Sequence, residues 1–338
     1  MGDITIKDVA RAAGVSLATV SRVINKNYYV SPELESKVSE AITKLGYYPN
    51  SVARSLKLTS TNTIGFLVSD ISNGYFTTLS KAIEDVIQAK DYNLIVCSTD
   101  NKKEKEYAYL KLLLEKKIDG LILNTTGEND DFIASMSDKL PIVLCNRKIS
   151  RKNFRGDLVD SDNINGAYML TQHLISMGHR KIGIINGIQK VSTGIERFEG
   201  FRKAMREIGI EVKEGYKYRL DEDFGLEGGY QGASKLMSME DRPTAIIIMN
   251  NEMMLGALRY FRANNVSIPE TVSIAAYGEI VNADLLYVQP SIVSLNPYVI
   301  GKNLAELMIE RIENRNDISN REIKYVPQLI PGTGVKKI

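Results

Sequence analysis

The chain reads Ile6-Lys7-Asp8-Val9-Ala10, turns at Ala13-Gly14-Val15, and resumes as Ser16-Leu17-Ala18-Thr19-Val20-Ser21-Arg22-Val23-Ile24-Asn25. Apolar Ile6, Val9, Ala10 and Ala13 recur at helical spacing, and Val20, Val23 and Ile24 repeat the pattern beyond the glycine. Two short amphipathic helices joined by a glycine turn make a helix-turn-helix, whose second helix suits a DNA major groove. Ser16 stands where an N-cap belongs, which leaves Leu17, Ala18, Ser21, Arg22 and Asn25 off the apolar stripe. Thr5 with Asp8 forms a near capping box for the first helix, with Asp in place of Glu or Gln. A third helix follows. Ser31 caps it, Pro32 opens it, Leu34, Val38, Ile42 and Leu45 form its stripe, and Gly46 stops it.

The Thr5–Asn25 run, with Tyr48 and the stretch Pro49-Asn50-Ser51-Val52-Ala53-Arg54-Ser55-Leu56-Lys57, resembles the LacI/GalR family of bacterial transcription regulators. The likeness extends over nearly the whole chain. It implies an α/β protein with an N-terminal three-helix helix-turn-helix domain over 1–49 and a hinge helix and linker over 50–62. A two-lobed effector-binding and dimerisation core would occupy 63–338. Its doubly wound lobes resemble periplasmic sugar-binding proteins, the first at about 63–162 and 292–321, the second at about 163–291 and 322–338. The implied function is a homodimeric, sequence-specific repressor of a carbohydrate-utilisation operon on a pseudo-palindromic operator. An activator is the alternative.

Arg22 can fork its guanidinium onto a guanine edge or a phosphate. Thr5, Ser16, Thr19, Ser21 and Asn25 offer short polar groups for phosphates and base edges, while Leu17 and Ala18 can reach a thymine methyl. In the resembled family the segment Ser51–Leu56 pairs with its copy in the minor groove. Small Ser51, Val52 and Ala53 allow that approach, Leu56 is an apolar wedge, and Tyr48 and Lys57 flank it on the phosphates. The first sixty residues carry eight basic against five acidic side chains, whereas the whole chain of 338 residues has a formal charge of only +2. The positive excess lies at the end that would meet phosphate.

Beyond the polar stretch Leu58–Asn62 the pattern becomes one of apolar runs alternating with amphipathic segments, as in β-α units around a parallel sheet. Strands are expected at Ile64–Val68, Leu94–Cys97, Gly120–Leu123 and Pro141–Cys145. The alternation restarts near Asn163, with strands at Lys181–Ile185, Thr244–Met249 and Val272–Tyr277. Two such units place a ligand cleft between lobes, at the carboxyl ends of the strands.

The resemblance implies a cleft lined by Tyr75, Phe76, Asn146, Arg147, Thr193, Arg197, Phe224, Asn250, Asn251 and Gly278. Many sugar-binding members place acids at three of these positions, which here read Asn146, Asn251 and Gly278. Arg147 is added beside them and Lys190 lies near the rim; Glu279 could restore one carboxylate. Fewer carboxylates and an extra guanidinium favour an anion, so the expected effector is a sugar acid, with a phosphosugar or neutral sugar as alternatives.

Catalysis is not indicated. His173 and His179 are the only histidines, and no metal spacing, nucleophile elbow or phosphate loop appears; Gly225, Gly228 and Gly229 do not form a dinucleotide fingerprint. No cofactor or metal is expected. Cys97 and Cys145 sit singly in apolar runs, and no signal-like or membrane-spanning segment is present, so a cytoplasmic protein is expected. The end at Gly334-Val335-Lys336-Lys337-Ile338 carries no heptad repeat, which favours a dimer over a tetramer.

Overall fold

The computed structural model describes residues 4–25, 28–47, 60–213, 215–314 and 319–338. The chain divides into two units, Met1–Thr61 and Asn62–Ile338. In the first, α1 (Ile6–Ala13), α2 (Leu17–Asn25) and α3 (Pro32–Leu45) occur where the periodicity places them. The Asp8 carboxylate accepts from the Thr5 N–H at 2.9 Å, which is the carboxylate half of a capping box, and also from the Thr5 hydroxyl at 2.7 Å. Ser16 Oγ accepts from the Thr19 N–H at 3.1 Å and caps α2. Gly14 closes α1 at φ 64°, a left-handed conformation that favours glycine. Val9, Val20 and Val38, one from each helix, meet in the buried centre.

The second unit runs β1 (Thr63–Val68), α4 (Gly74–Gln88), β2 (Asn93–Ser98), α5 (Lys103–Glu115), β3 (Gly120–Leu123), α6 (Asp130–Met136), β4 (Ile142–Cys145) and β5 (Asp157–Ser161). It continues with α7 (Asn163–Ser176), β6 (Ile182–Asn186), α8 (Ser192–Glu207), β7 (Arg219–Asp221), α9 (Leu226–Met237), β8 (Ala245–Ile248), α10 (Asn251–Ala263) and β9 (Ser273–Tyr277). Last come β10 (Ser291–Ser294), α11 (Pro297–Glu313), β11 (Glu322–Tyr325) and β12 (Gln328–Ile330). Two six-stranded sheets result, ordered β11-β5-β4-β3-β1-β2 and β12-β10-β9-β8-β6-β7. All pairings are parallel except β10 with β12. Central strands such as β3, β4, β6, β8 and β9 are buried throughout, because helices cover both faces.

The lobe boundaries differ from the expected ones. β10 pairs with β9 (Ser291↔Ala275), so it belongs to the second sheet and not to a first-lobe segment beginning at 292. β11 pairs with β5 (Glu322↔Leu158), so it belongs to the first sheet and not to a second-lobe segment beginning at 322. The chain therefore crosses back after Ser294 and returns after Tyr325. Between those points α11 lies in the first lobe, where Gly301 sits so close to α4 that a Cβ there would be 2.7 Å from Ala82 Cβ. β11 forms the edge of the first sheet, whereas β10 lies one strand in from β12 at the edge of the second; both are short and part polar, so no apolar run marks them.

The glycines at 228 and 229 also find a physical role. Both lie in α9: a Cβ at Gly229 would stand 1.8 Å from the Met253 carbonyl oxygen of α10, and one at Gly228 would stand 2.2 Å from the Asp223 carbonyl oxygen in the preceding loop. They are close-packing positions. Cys97 and Cys145 are free and buried. His179 is buried, with Nδ1 2.9 Å from Thr244 Oγ1 and Nε2 3.1 Å from the Lys336 carbonyl, which makes it structural. Among the described residues no helix is long and apolar enough to cross a membrane, and no His/Cys/Asp/Glu group could hold a metal.

Candidate effector cleft and DNA-facing helix

In both sheets the strand order reverses at the first strand, β1 in one and β6 in the other, and ligands favour the carboxyl ends of strands at such a point. A cavity opens there. Residues following β1 (Ser69, Asp70, Asn73), β3 (Asn124), β4 (Asn146, Arg147), β8 (Asn250, Asn251) and β9 (Gly278, Glu279) line it. All ten residues expected in the cleft are brought together on its wall: Tyr75, Phe76, Asn146, Arg147, Thr193, Arg197, Phe224, Asn250, Asn251 and Gly278. Lys190 is not on that wall; its ammonium pairs with Glu128 at 3.3 Å on the surface.

Two guanidiniums dominate the electrostatics. Arg147 is 4% exposed and Arg197 8% exposed. Arg147 Nη1 donates to Asn101 Oδ1 at 2.8 Å and to the Thr125 carbonyl at 2.9 Å, and its guanidinium carbon lies 5.5 Å from the Phe224 ring centre. Arg197 donates from Nε to Asn163 Oδ1 at 3.0 Å and from Nη1 to the Met249 carbonyl at 2.6 Å, stacked 3.9 Å above the Tyr277 ring. Burial, and then repulsion from Arg197, push the Arg147 guanidinium down to about 10; Glu106 partly opposes them. An anion between the two cations would relieve that repulsion.

Polar groups complete the wall. The Tyr75 hydroxyl and the Asn146 amide are hydrogen-bonded at 2.8 to 3.0 Å, with Asn146 at φ 62°. Asn73 and Asn251, from opposite lobes, exchange amide hydrogen bonds at 2.9 and 3.2 Å. The amino ends of α4, α8 and α10 bring residues to the cavity, and their dipoles add positive potential; Asn73 and Asn250 cap α4 and α10 by accepting from the Tyr75 and Met253 N–H groups.

Six wall residues lie outside the set expected from sequence, Ser69, Asp70, Asn73, Asn124, Tyr277 and Leu295, and Glu279 joins them where a restored carboxylate was expected. Glu279 restores a carboxylate, although Oε1 accepts from the Ser294 hydroxyl and from the N–H groups of Leu295 and Asn296 at 2.5 to 2.8 Å. Its Oε2 is buried without a hydrogen-bond partner. Asp70 Oδ1 accepts from the Ser72 N–H and hydroxyl, a turn that serves the loop rather than the cavity.

On the other unit, Thr5, Ser16, Leu17, Ala18 and Arg22 are exposed and Thr19 and Ser21 half-buried; Asn25 is the last residue of α2. Leu17 is 45% exposed, so it does not pack inward. Tyr48, Ser51, Ala53, Leu56 and Lys57 lie outside the described residues.

Comparison with known proteins follows the same division. The family described as "Bacterial regulatory proteins, lacI family" matches residues 5–50, and "Periplasmic binding proteins and sugar binding domain of LacI family" matches 61–330. An HTH-type transcriptional repressor PurR from Photobacterium profundum is 34% identical over 337 residues, covering 99% of each chain. Another of that name from Haemophilus influenzae is 35% identical over 340 residues, again covering 99% of each. A solved transcriptional regulator, CelR in complex with cellobiose, superposes with a TM-score of 0.71 at 26% identity over 98% of this chain and 100% of that one. This chain belongs to the LacI family of bacterial regulatory proteins, and it is a DNA-binding transcription regulator with an effector-binding core.

Proposed function

We propose that the protein is a homodimeric repressor whose hold on a pseudo-palindromic operator is set by an anionic small molecule, a sugar acid, bound between the core lobes. The observation that supports the effector class is the pair of buried guanidiniums, Arg147 and Arg197, on one cavity wall. The apolar side chains Val281, Leu285 and Tyr287, each more than half exposed on the second lobe, support a second copy as partner. Ligand held between two lobes favours one lobe arrangement by its differential affinity, and this is how occupancy would reach the DNA-binding end.

The test is calorimetric titration of the full chain with D-glucuronate, D-glucose and D-glucose 6-phosphate. A charge-assisted hydrogen bond contributes about 1.5–3 kcal/mol. Arg147→Ala is therefore expected to weaken binding of the acid roughly ten- to a hundred-fold and of the neutral sugar far less. A parent protein that prefers glucose, or a variant indifferent to ligand charge, would sink the anion reading. Asn146→Asp is the companion variant: φ 62° suits Asp as well as Asn, whereas an Asp at Gly278 would be strained at φ 95°. It should move preference toward the neutral sugar.

A second reading has its own support. Tyr75, Phe76 and Phe224 bring three aromatic rings to the cavity, and the curated relatives carry the name PurR. A planar heterocycle would stack there. Titration with guanine and adenine separates it from the sugar acid, since their binding would not depend on ligand negative charge.

DNA reading is proposed to centre on Arg22, exposed on α2. A bidentate base contact is worth about 1–3 kcal/mol. Arg22→Ala should thus cost ten-fold or more, roughly, in affinity for sites selected from a random duplex library, with ligand binding intact.

A further inference from the structure

Arg22 and Tyr28 are both exposed, Tyr28 at 73%, yet they are not independent. The Arg22 guanidinium carbon lies 5.6 Å from the centre of the Tyr28 ring, within the range of a cation–π contact. Tyr28 comes from the segment between α2 and α3, outside the helix that carries Arg22. Among the described residues no carboxylate forms an ion pair with Arg22, so the aromatic face orients the cation without neutralising it. That distinction matters for DNA. A carboxylate partner would have to be displaced before phosphate or a guanine edge could be contacted, and its charge would repel the backbone. A ring costs neither, and it leaves the guanidinium edge, which carries the donors, free to point outward.

We propose that Tyr28 is a positioning residue for Arg22: its ring pre-orients the guanidinium for the DNA contact. The proposal rests on the reading of Arg22 as a DNA-contacting side chain. Arginine has many rotamers in water, and restricting them before binding lowers the ordering cost at the moment of contact. The interaction strengthens as DNA excludes water from the pair. Tyr28 thereby contributes to sequence selection from outside the recognition helix, through a residue it touches rather than through a base.

The test uses the full chain, duplexes selected by the parent from a random library, and fluorescence anisotropy at fixed salt. Tyr28→Phe keeps the ring and should bind within two-fold, roughly, of the parent. Tyr28→Leu keeps apolar bulk but removes the π face, and should weaken binding by about two- to five-fold per half-site. The same Tyr28→Leu change made in an Arg22→Ala background should cost nothing further, because the residue acts through Arg22. Repeating the selection with Tyr28→Leu should show weaker preference at the base pair that Arg22→Ala also relaxes. Equal binding by the Leu variant overturns the proposal, as does an undiminished loss in the Arg22→Ala background, which would mean direct DNA contact by Tyr28. If Arg22→Ala itself binds like the parent, the DNA-contact reading of Arg22 fails and the proposal falls with it.

Discussion

Arg311→Met is expected to lower the stability of the core by about 3 kcal/mol, because it strips the principal counter-ion from a carboxylate that water cannot reach. Asp157, at the start of β5, is fully buried. Arg311 on α11 forks onto both of its oxygens, with Nε 2.8 Å from Oδ2, and also donates to the Ser319 carbonyl at 2.5 Å. Arg321 adds a backbone N–H at 2.9 Å and a guanidinium nitrogen at 2.8 Å. Burial alone would raise the Asp157 carboxyl, but the hydrogen bonds from Arg311 and Arg321 outweigh it and hold the group below the usual carboxylate range. Stability from this site is therefore complete above the ordinary carboxylate pKa and is lost as pH falls through the depressed one. Urea denaturation at neutral pH and fixed protein concentration measures the effect. Asp157→Leu added to Arg311→Met should recover much of the loss, since an apolar pair replaces an orphaned charge. No loss in the single variant would show that Arg321 suffices alone.

The same strand explains why parts of the fold were hard to read. The seven strands expected from sequence were apolar runs, and each is found within a residue or two of its expected bounds. β5 reads Asp-Leu-Val-Asp-Ser, with Asp157 and Asp160 both fully buried on opposite faces of the strand, so acids interrupt its apolar pattern. The Asp157 charge is tolerated there because Arg311 on α11 and Arg321 meet it, partners that lie up to 164 residues away. β7, β10, β11 and β12 are three or four residues long and mix polar with apolar residues, so unlike the equally short β3, β4 and β8 they offer no continuous apolar run. α9 is obscured by its glycines, which serve close packing against the Asp223 loop, α10 and β6 at the expense of helix propensity.

The cleft was legible for a different reason. Its expected residues follow strands that could be recognised, and loops at strand ends converge by topology. The residues missed are mostly of two kinds. Asn73 acts through a partner 178 residues away, and Tyr277 reads from the sequence as the last residue of a core strand. Tyr277 belongs to the site because its ring lies beneath Arg197, a relation no spacing encodes. Glu279 does face the cavity, but one of its oxygens is committed to backbone donors around β10 and α11.

Asp160→Asn is expected to stabilise the core at pH 8 by up to about 4 kcal/mol, and by close to nothing at pH 4. Asp160 is fully buried at the end of β5, just before the chain enters the second lobe. Burial, and then repulsion from Glu196, raise its carboxyl to about 7; Lys148, the Ser161 N–H and Arg197 act in the opposite sense. The attraction is weak because Lys148 Nζ stands 3.5 Å from Asp160 Oδ2 and 2.7 Å from Glu196 Oε1. With an unfolded pKa near 3.9, roughly, the folded carboxyl keeps its proton while the unfolded one has lost it. Stability is therefore fully present below pH 4, approximately, and declines by about 1.4 kcal/mol per pH unit until the folded group also ionises near 7. Asn cannot ionise, so the variant escapes that decline. Urea midpoints of parent and variant at pH 4, 6 and 8 give the difference directly, with shared titrations such as that of Asp157 cancelling. A constant difference across pH would rule out the titration. The location gives the result a functional edge: Asn163 donates to Asp160 Oδ1 at 3.1 Å and to Glu196 Oε2 at 3.2 Å, while its own Oδ1 accepts from Arg197. The ionisation of Asp160 is thus two hydrogen bonds from a cleft guanidinium. If that link carries charge to the cleft, Asp160→Asn should flatten any pH dependence of anion affinity between pH 6 and 8, roughly, and leave neutral-ligand affinity unchanged.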